Sequence, residues 1–541
     1  MDSGLAFGAR NDSGNCPRNL SLRHSHRDPL SPGGMSLIRS SLLVGLGSMA
    51  SRILGFVRDV LFAQALGAGP VADAFLAAFR LPNLVRRIVG EGGLNPVLVP
   101  ALGRLEPDDA AVTAGDVLSV FALALLGLTG LVEIGAGLIA LVLAPGLHDD
   151  PESLALVALY TRLSFPIVAC VTLASIGAAI LNMHGRFAMA ALAPLAVNGG
   201  LILTLVAMEA GLSLPLARKA AWLAGASSLA GLIQLALVAA ALRRGKARLV
   251  RFRMPRWSPL LKSLLLAGFP VLVASGAVQL FLLAATQIAS FWPSGVSWLY
   301  YAERVMQLPL GLMGALGASL LLPELARRHR AGESRAIVAA QNRALAVALL
   351  LALPASAALI ILARPMSAVL FERGAFQSSD AEGTALVLAA LSLGLPFATA
   401  AKVLSQTLFA RGSLKAALAA ALFGLALTIA AALLLAWPFG PAGIALGVSA
   451  GCLGHAVAVA SGLRRFGLWS PDRALLARVA RILVAVLAMS LGLAAASSVV
   501  PRAGPLWLAA LCLGGLAVYL AASLATGAVT RDDWAALTKE S

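Results

Sequence analysis

The sequence predicts an all-α polytopic membrane protein of about fourteen transmembrane helices, and three observations carry that prediction. Of the 541 residues, 59% are hydrophobic and only 12% are charged, against roughly 25% charged in a soluble domain. Apolar runs of around 20 residues, long enough to cross about 30 Å of hydrocarbon, recur along nearly the whole chain. These runs are continuous and rich in Ala, Leu and Gly, which argues against the alternating pattern of membrane β-strands.

Taken in order, the runs begin near Ser36, Val71, Asp116, Leu154, Ala188, Ala217, Leu260, Val296, Leu345, Thr384, Ala416, Ala442, Leu475 and Leu506. Residues 1–34, ahead of them, are rich in Ser, Gly, Asn, Pro and Arg and read as a disordered leader or a start-site extension, with Met35 as the alternative start. A weak self-similarity at a spacing of about 225 to 230 residues divides the rest into two halves. "AFRLP…VLVPALGR" is echoed by "AERVMQLP…LLLPELARR", and "LSFP" by "LGLPF". The expected organisation is an N-terminal lobe of six spans over 35–245, a basic cytoplasmic linker over 246–256, and a C-terminal lobe of six spans over 257–466. Two further spans and a tail fill 467–541.

The net charge of +17 raises the question of nucleic acid, and the placement of the basic residues answers it. "RRGKARLVRFRMPR", "RRHRAGESR", "ARGSLK" and "RRFGLWSPDR" alternate with "GAGP", "HDDPES", "WPSG" and "WPFGP". Basic loops stay on the cytoplasmic side, so the balance reports topology: both termini inside, and no nucleic-acid partner. Three of the four cysteines, Cys170, Cys452 and Cys512, lie in apolar runs, and no disulfide or metal spacing is present. His148 with Asp149, Asp150 and Glu152 reads as a solvated acidic loop rather than a metal site. There is no phosphate-binding G-x-x-x-x-G-K-[ST] loop, and no carboxylate pair or His/Cys cluster in the longer loops. A transporter without a cofactor is expected, not an enzyme.

Charges inside the apolar runs are the chemical signal. The first run, roughly 46 Å long as one helix, contains "SRILGFVRDV", with Arg52 near its midpoint and Arg58 and Asp59 one to two turns on. The second reads "ADAFLAAFRLPNLVRRIVGEGG", placing Asp73, Arg80 and Arg87 at intervals of seven on one stripe, with Arg86 beside them and Glu91 within i,i+4 reach of Arg87. The eighth, "YAERVMQLPLG", adds Glu303 and Arg304. Each charge costs roughly 2.5 to 3.5 kcal/mol at a helix centre even on a lenient insertion scale, so each needs a partner or water. Six arginines face four carboxylates, an excess of about two that points to a positive, water-filled cavity. Arginine outnumbers lysine there, and its planar fork suits phosphate or carboxylate. Asp59, Asp73 and Glu91 are expected to hold the arginines when the cavity is empty. Glu133, Arg162, Glu209, Arg364, Lys402 and His455 are weaker signals, more consistent with interfacial or paired positions.

These residues resemble a known family. "SRILGFVRDVLFAQALGAGPVADAFLAAFRLPNLVRRIVGEGGLNPVLVP" is similar almost residue for residue to the signature of the lipid II flippases of bacterial cell-wall synthesis, MurJ or MviN. That family lies in the superfamily of multidrug and polysaccharide-lipid exporters. "YYAERVMQLPLGLMGALGASLLLPELARR" and "LFERGAF" extend the match. The resemblance implies two six-helix lobes around a cationic cavity, two final helices forming a groove for a lipid tail, and outward movement of lipid II by alternating access. It implies that Arg52, Arg58, Asp73, Arg86 and Arg304 bind or move the substrate, with Asp59, Arg80, Arg87, Glu91 and Glu303 in support. The implied partners are lipid II and membrane lipids, with the cell-wall synthesis machinery as a further candidate, in the bacterial cytoplasmic membrane. Gln307 stands where relatives often carry Glu, and segments seven and eleven lack the carboxylates with which some relatives hold sodium, so no metal is expected. An exporter of another polyprenyl-linked sugar or of drugs shares the fold, and a membrane glycosyltransferase is the alternative of a different class.

Overall fold

The computed structural model describes residues 34–85, 98, 102–211, 214–244, 249–251, 276–311, 334–411, 413–499 and 504–529. Most of the leader 1–34, most of the linker 246–256, the tail beyond 529, and Arg86, Arg87 and Glu91 lie outside these residues.

Helices account for nearly everything described. The first lobe runs α1 (Gly34–Leu66), α2 (Pro70–Val85), α3 (Pro107–Ile134), α4 (Ala136–Leu143), α5 (Pro151–Ser164), α6 (Pro166–Met183), α7 (Phe187–Leu192), α8 (Leu195–Gly211) and α9 (Leu216–Arg243). The second runs α10 (Ala277–Ala289), α11 (295–311), α12 (Ser334–Ile361), α13 (Ala363–Phe371), α14 (Ser378–Ser392), α15 (Leu395–Ala410) and α16 (Leu414–Arg465), followed by α17 (Arg473–Val499) and α18 (Pro505–Thr526). Among the described residues eight helices are long and apolar enough to span a membrane, nine if the bent α14–α15 pair is one span. The element starts at Gly34, Pro70, Pro107, Pro151, Phe187, Leu216, Ser334, Ser378, Leu414, Arg473 and Pro505 follow the apolar runs of the sequence.

The inside and outside of this protein differ in size of residue more than in polarity. Leu126, Leu131 and Ile134 on α3, Leu487 and Leu491 on α17, and Leu506 and Leu513 on α18 are exposed. In hydrocarbon that exposure is the solvated state rather than a liability. The buried faces favour small side chains, as in Ala72, Ala74, Ala77 and Ala78 of α2, because lipid is as apolar as leucine and close packing decides which faces meet. The clearest case is α16, whose 52 residues fold back at Gly440, with φ of 56° between Pro438 and Pro441. A Cβ on Gly447 would run into Ala432, one on Gly451 into Thr428, and one on Gly454 into Leu427, so a glycine stripe closes an antiparallel hairpin of two spans.

Helix ends are capped locally. Asp150 accepts from the Ser153 amide at 3.1 Å ahead of Pro151, and its hydrogen bonds from Ser153 hold its carboxyl below the usual carboxylate range. At α14 the Gln377 and Asp380 side chains form a reciprocal capping box. The final pair, α17 and α18, pack on each other, and α17 lies against α12. The Tyr519 hydroxyl donates to the Leu350 carbonyl at 2.6 Å, above an apolar cluster of Leu362, Met489, Leu493 and Leu508.

Many of the hydrogen bonds that cross between the lobes gather at the end marked by Gly67. There the Ala375 amide donates to the Gln64 carbonyl at 2.8 Å and the Tyr301 hydroxyl to the Gly67 carbonyl at 3.1 Å. The Gly146 amide donates to Ser290 Oγ at 2.9 Å and Gln287 Nε2 to the Val142 carbonyl at 2.7 Å. Gly67 has φ of 65°, and a Cβ on it would collide with the Ala375 carbonyl. At Gly67 itself the seal is therefore backbone against backbone, with no room for a side chain on that residue.

Candidate functional site

Immediately inside that seal, α1, α2 and α11 bring their charged residues together. Residues three and four apart share a helix face, so Tyr300, Glu303, Arg304, Gln307 and Gly311 form one face of α11. On α1, Arg58 and Asp59 are adjacent, and the arginine folds back on its neighbour. Arg58 Nε and Nη2 lie 3.0 and 2.7 Å from Asp59 Oδ1, and Arg58 Nη1 donates to Asn198 Oδ1 of α8 at 3.0 Å.

Asp59 also reaches the other lobe. Its Oδ1 accepts from the Tyr300 hydroxyl at 3.0 Å, and its Oδ2 lies 3.3 Å from Arg304 Nε. The Arg304 guanidinium is stacked 4.4 Å from the Tyr300 ring centroid, a favourable cation–π placement. A second cross-lobe ion pair joins Arg80 to Glu303, which also accepts from Gln307. All of Arg58, Asp59, Arg80, Glu303 and Arg304 are buried. The pairs therefore meet where water screens least, and the loss of one partner is felt in full.

Asp73 has a different task from the one its charge suggested. It pairs with no arginine among the described residues; it accepts from the Ser297 amide at 2.8 Å and from the Ser297 hydroxyl. Ser297 lies in the first turn of α11, so a carboxylate from the first lobe satisfies free N–H groups and the positive dipole end of a helix in the second. Composition registers a charge, but a helix end has no residue type of its own. Glu91, the other carboxylate expected to hold an arginine, lies outside the described residues, as do Arg86 and Arg87.

Arg52 is exposed, one turn and a half from Arg58 along α1. Its guanidinium lies against α11, where a Cβ on Gly311 would run into it. Within the cluster that α1, α2 and α11 build, the described buried charges balance, with Arg58, Arg80 and Arg304 against Asp59, Asp73 and Glu303. The positive excess read from the sequence thus rests on exposed Arg52 and on residues outside the description. Asn198, Ser297 and Tyr300 belong to the cluster although charge alone did not single them out. The available signals were an amide inside an apolar run, a serine at a helix start, and a tyrosine four residues before an arginine.

The weaker candidates scatter. Arg162 donates to the Glu133 carbonyl at the surface, Arg364 pairs with Glu372 at 3.3 Å, and His455 is buried against the Phe281 ring. Among the described residues no group of three His, Cys, Asp or Glu side chains could hold a metal ion.

Comparison with known proteins agrees with this architecture. The family model described as "Lipid II flippase MurJ" matches residues 62–512. A probable lipid II flippase MurJ of Rhizobium meliloti is 38% identical over 394 residues, covering 70% of this chain and 71% of that protein. The lipid II flippase MurJ of Burkholderia cenocepacia is 32% identical over 395 residues, covering 70% and 75%. Among solved structures, a lipid II flippase MurJ in an inward closed conformation aligns with a TM-score of 0.73 at 23% identity, over 89% of this chain and 98% of that one. An inward-facing multidrug transporter of the MATE family aligns at 0.65 and 17% identity, over 77% and 94%. Two lobes of this fold, joined through charges on the first, second and eighth apolar runs, go with a family match across most of the chain: the protein belongs to the MurJ family of lipid II flippases.

Proposed function

We propose that this protein is a lipid II flippase of the bacterial inner membrane, moving the undecaprenyl-diphosphate-linked peptidoglycan precursor from the cytoplasmic to the outer leaflet by alternating access. The observation that carries the reading is Asp59, a single carboxylate shared by Arg58 of one lobe and Arg304 of the other. A diphosphate presents several anionic oxygens where Asp59 presents two, so it competes for the same guanidinium forks. Its arrival loosens the cross-lobe pair and thereby favours parting of the lobes at the Gly67 end. A ligand moves such an equilibrium only through its different affinity for the two states, and competition for Asp59's partners supplies that difference.

Arg52 and Arg86 belong to the same anion site, Arg52 from the open side of α1. Both termini lie in the cytoplasm, and the Gly67 end faces outward, as the alternation of basic loops supports. The polyprenyl tail stays in lipid, beside the lobes. Reconstitution of the purified chain into vesicles with labelled lipid II tests the reading. Appearance of lipid II in the opposite leaflet, dependent on Arg58 and Arg304, is the expected result. Inertness toward lipid II with transport of another polyprenyl-linked sugar or of a drug would place the chain among the related exporters.

A further inference from the structure

Asn198 is a neutral side chain of the first lobe bonded directly to Arg58 of the first helix. Its Oδ1 accepts from Arg58 Nη1 at 3.0 Å, and its Nδ2 donates to the Ser51 carbonyl at 3.0 Å and lies 3.4 Å from Ser51 Oγ. The chemistry fixes which way the amide points. A guanidinium only donates and a carbonyl only accepts, so only an amide in this orientation satisfies both. Asn198 is buried on α8, so neither contact is exchanged freely for water.

The partners of the two central arginines differ in location. Arg58 is held by Asp59 and Asn198, both in its own lobe, whereas Arg304 reaches Asp59 across the interface. When the lobes part, Arg304 loses its carboxylate and Arg58 keeps both partners. We propose that Asn198 is a positioning residue of the anion site, holding the Arg58 guanidinium at a constant aim in both states. Arg58 is then the arm whose partners stay the same through the cycle, and Arg304 the arm that exchanges its carboxylate. This rests on the lipid-diphosphate reading above and adds to it a division of labour between the arginines.

A neutral amide suits the task because it orients the fork without cancelling its charge. Of five guanidinium hydrogens, the three bonds to Asp59 and Asn198 leave one on each terminal nitrogen free of a described partner, for a substrate oxygen. An aspartate at 198 would still accept from Arg58, but it would place a second carboxylate on the same cation and repel the diphosphate.

The test uses the full chain with lipid II as the probe, measuring binding in detergent, half-saturation and maximal rate in vesicles, and thermal melting. Asn198→Leu is expected to raise the half-saturating lipid II concentration about tenfold, the scale of one hydrogen bond to a charged group. Asn198→Asp should raise it further, with some loss of melting temperature because its second oxygen faces the Ser51 carbonyl. In an Arg58→Ala background, Asn198→Leu should add nothing, because the residue acts through Arg58. Equal effects of Leu and Asp, or additivity with Arg58→Ala, overturn the proposal and leave a packing role through Ser51. If Asn198→Leu fails to accumulate, Asn198→Asp decides: unchanged half-saturation, or an increase that persists in full in the Arg58→Ala background, overturns the proposal, and an increase that Arg58→Ala abolishes supports it. An unsubstituted chain that does not bind lipid II sinks the functional reading and this inference together, whereas normal binding in every Asn198 variant sinks the inference alone.

Discussion

The Asp59 carboxylate lies 3.3 Å from Arg304 Nε, a contact between lobes that meet through few other buried charges. The same carboxylate already neutralises Arg58 on its own helix. Asp59→Asn should therefore leave two buried guanidinium groups short of charge, at a cost of about 3–5 kcal/mol, the usual penalty for breaking a buried pair. The expected outcome is a lower melting temperature and loss of the seal at the Gly67 end. A cysteine in place of Ser290, which is buried at the seal against Gly146, in a background lacking the native thiols, reports the opening through faster labelling by an impermeant reagent. Unchanged labelling would show that Asp59 does not latch the lobes.

Gly67→Ala should act at the seal itself. The substitution imposes a left-handed backbone on alanine, about 1–3 kcal/mol, and pushes a methyl into the Ala375 carbonyl. The state closed at the Gly67 end becomes less populated, so a cysteine at position 290 labels faster while the charged cluster is intact. Transport slows because one of the two alternating states is disfavoured. Wild-type labelling and rate together would contradict the backbone-on-backbone seal.

Arg58→Lys and Arg304→Lys keep the charge but lose the fork. Each should reduce lipid II transport about tenfold, with the alanine substitutions worse. Vesicle flipping assays on matched amounts of inserted protein measure this. Full activity in the lysine variants would reduce the site to a field of positive charge.

Gly311→Ala changes no charge and, among the described residues, meets Arg52 at its far, flexible end. Melting should be nearly unaffected, since the guanidinium can swing away, but lipid II affinity should fall several-fold, on the order of 1 kcal/mol. Binding titrations against the unsubstituted chain decide it, and an unchanged affinity would remove Arg52 from the site.

Topology follows from the loops. Asp149→Cys should label from outside intact cells, and Arg251→Cys only after permeabilisation. The reverse pattern would invert the chain and turn the Gly67 end toward the cytoplasm.

The spans and the charged helices were legible in the sequence because both are one-dimensional signals. An apolar run of around 20 residues declares a span, and Arg52, Arg58 and Arg304 stand out against it. The fold at Gly440 was legible too, through the loop "WPFGP" between two runs. The capping of α11 by Asp73 was not, because its partner is a backbone end 224 positions away. Nor was Asn198, whose worth comes from a bond to Arg58 across 140 positions rather than from its own polarity.

The docking of α17 and α18 has a mechanical consequence. The Tyr519 bond and the cluster around Leu362 and Met489 fasten both helices to the second lobe, so that lobe is the bulkier of the two. Drag in a viscous bilayer grows with size, and the torques that two hinged bodies exert on each other are equal and opposite. In any rocking of the two, the first lobe, carrying Arg52, Arg58 and Asp59 as one set, is expected to sweep the larger angle, with the second, weighted by its two added helices, as the keel.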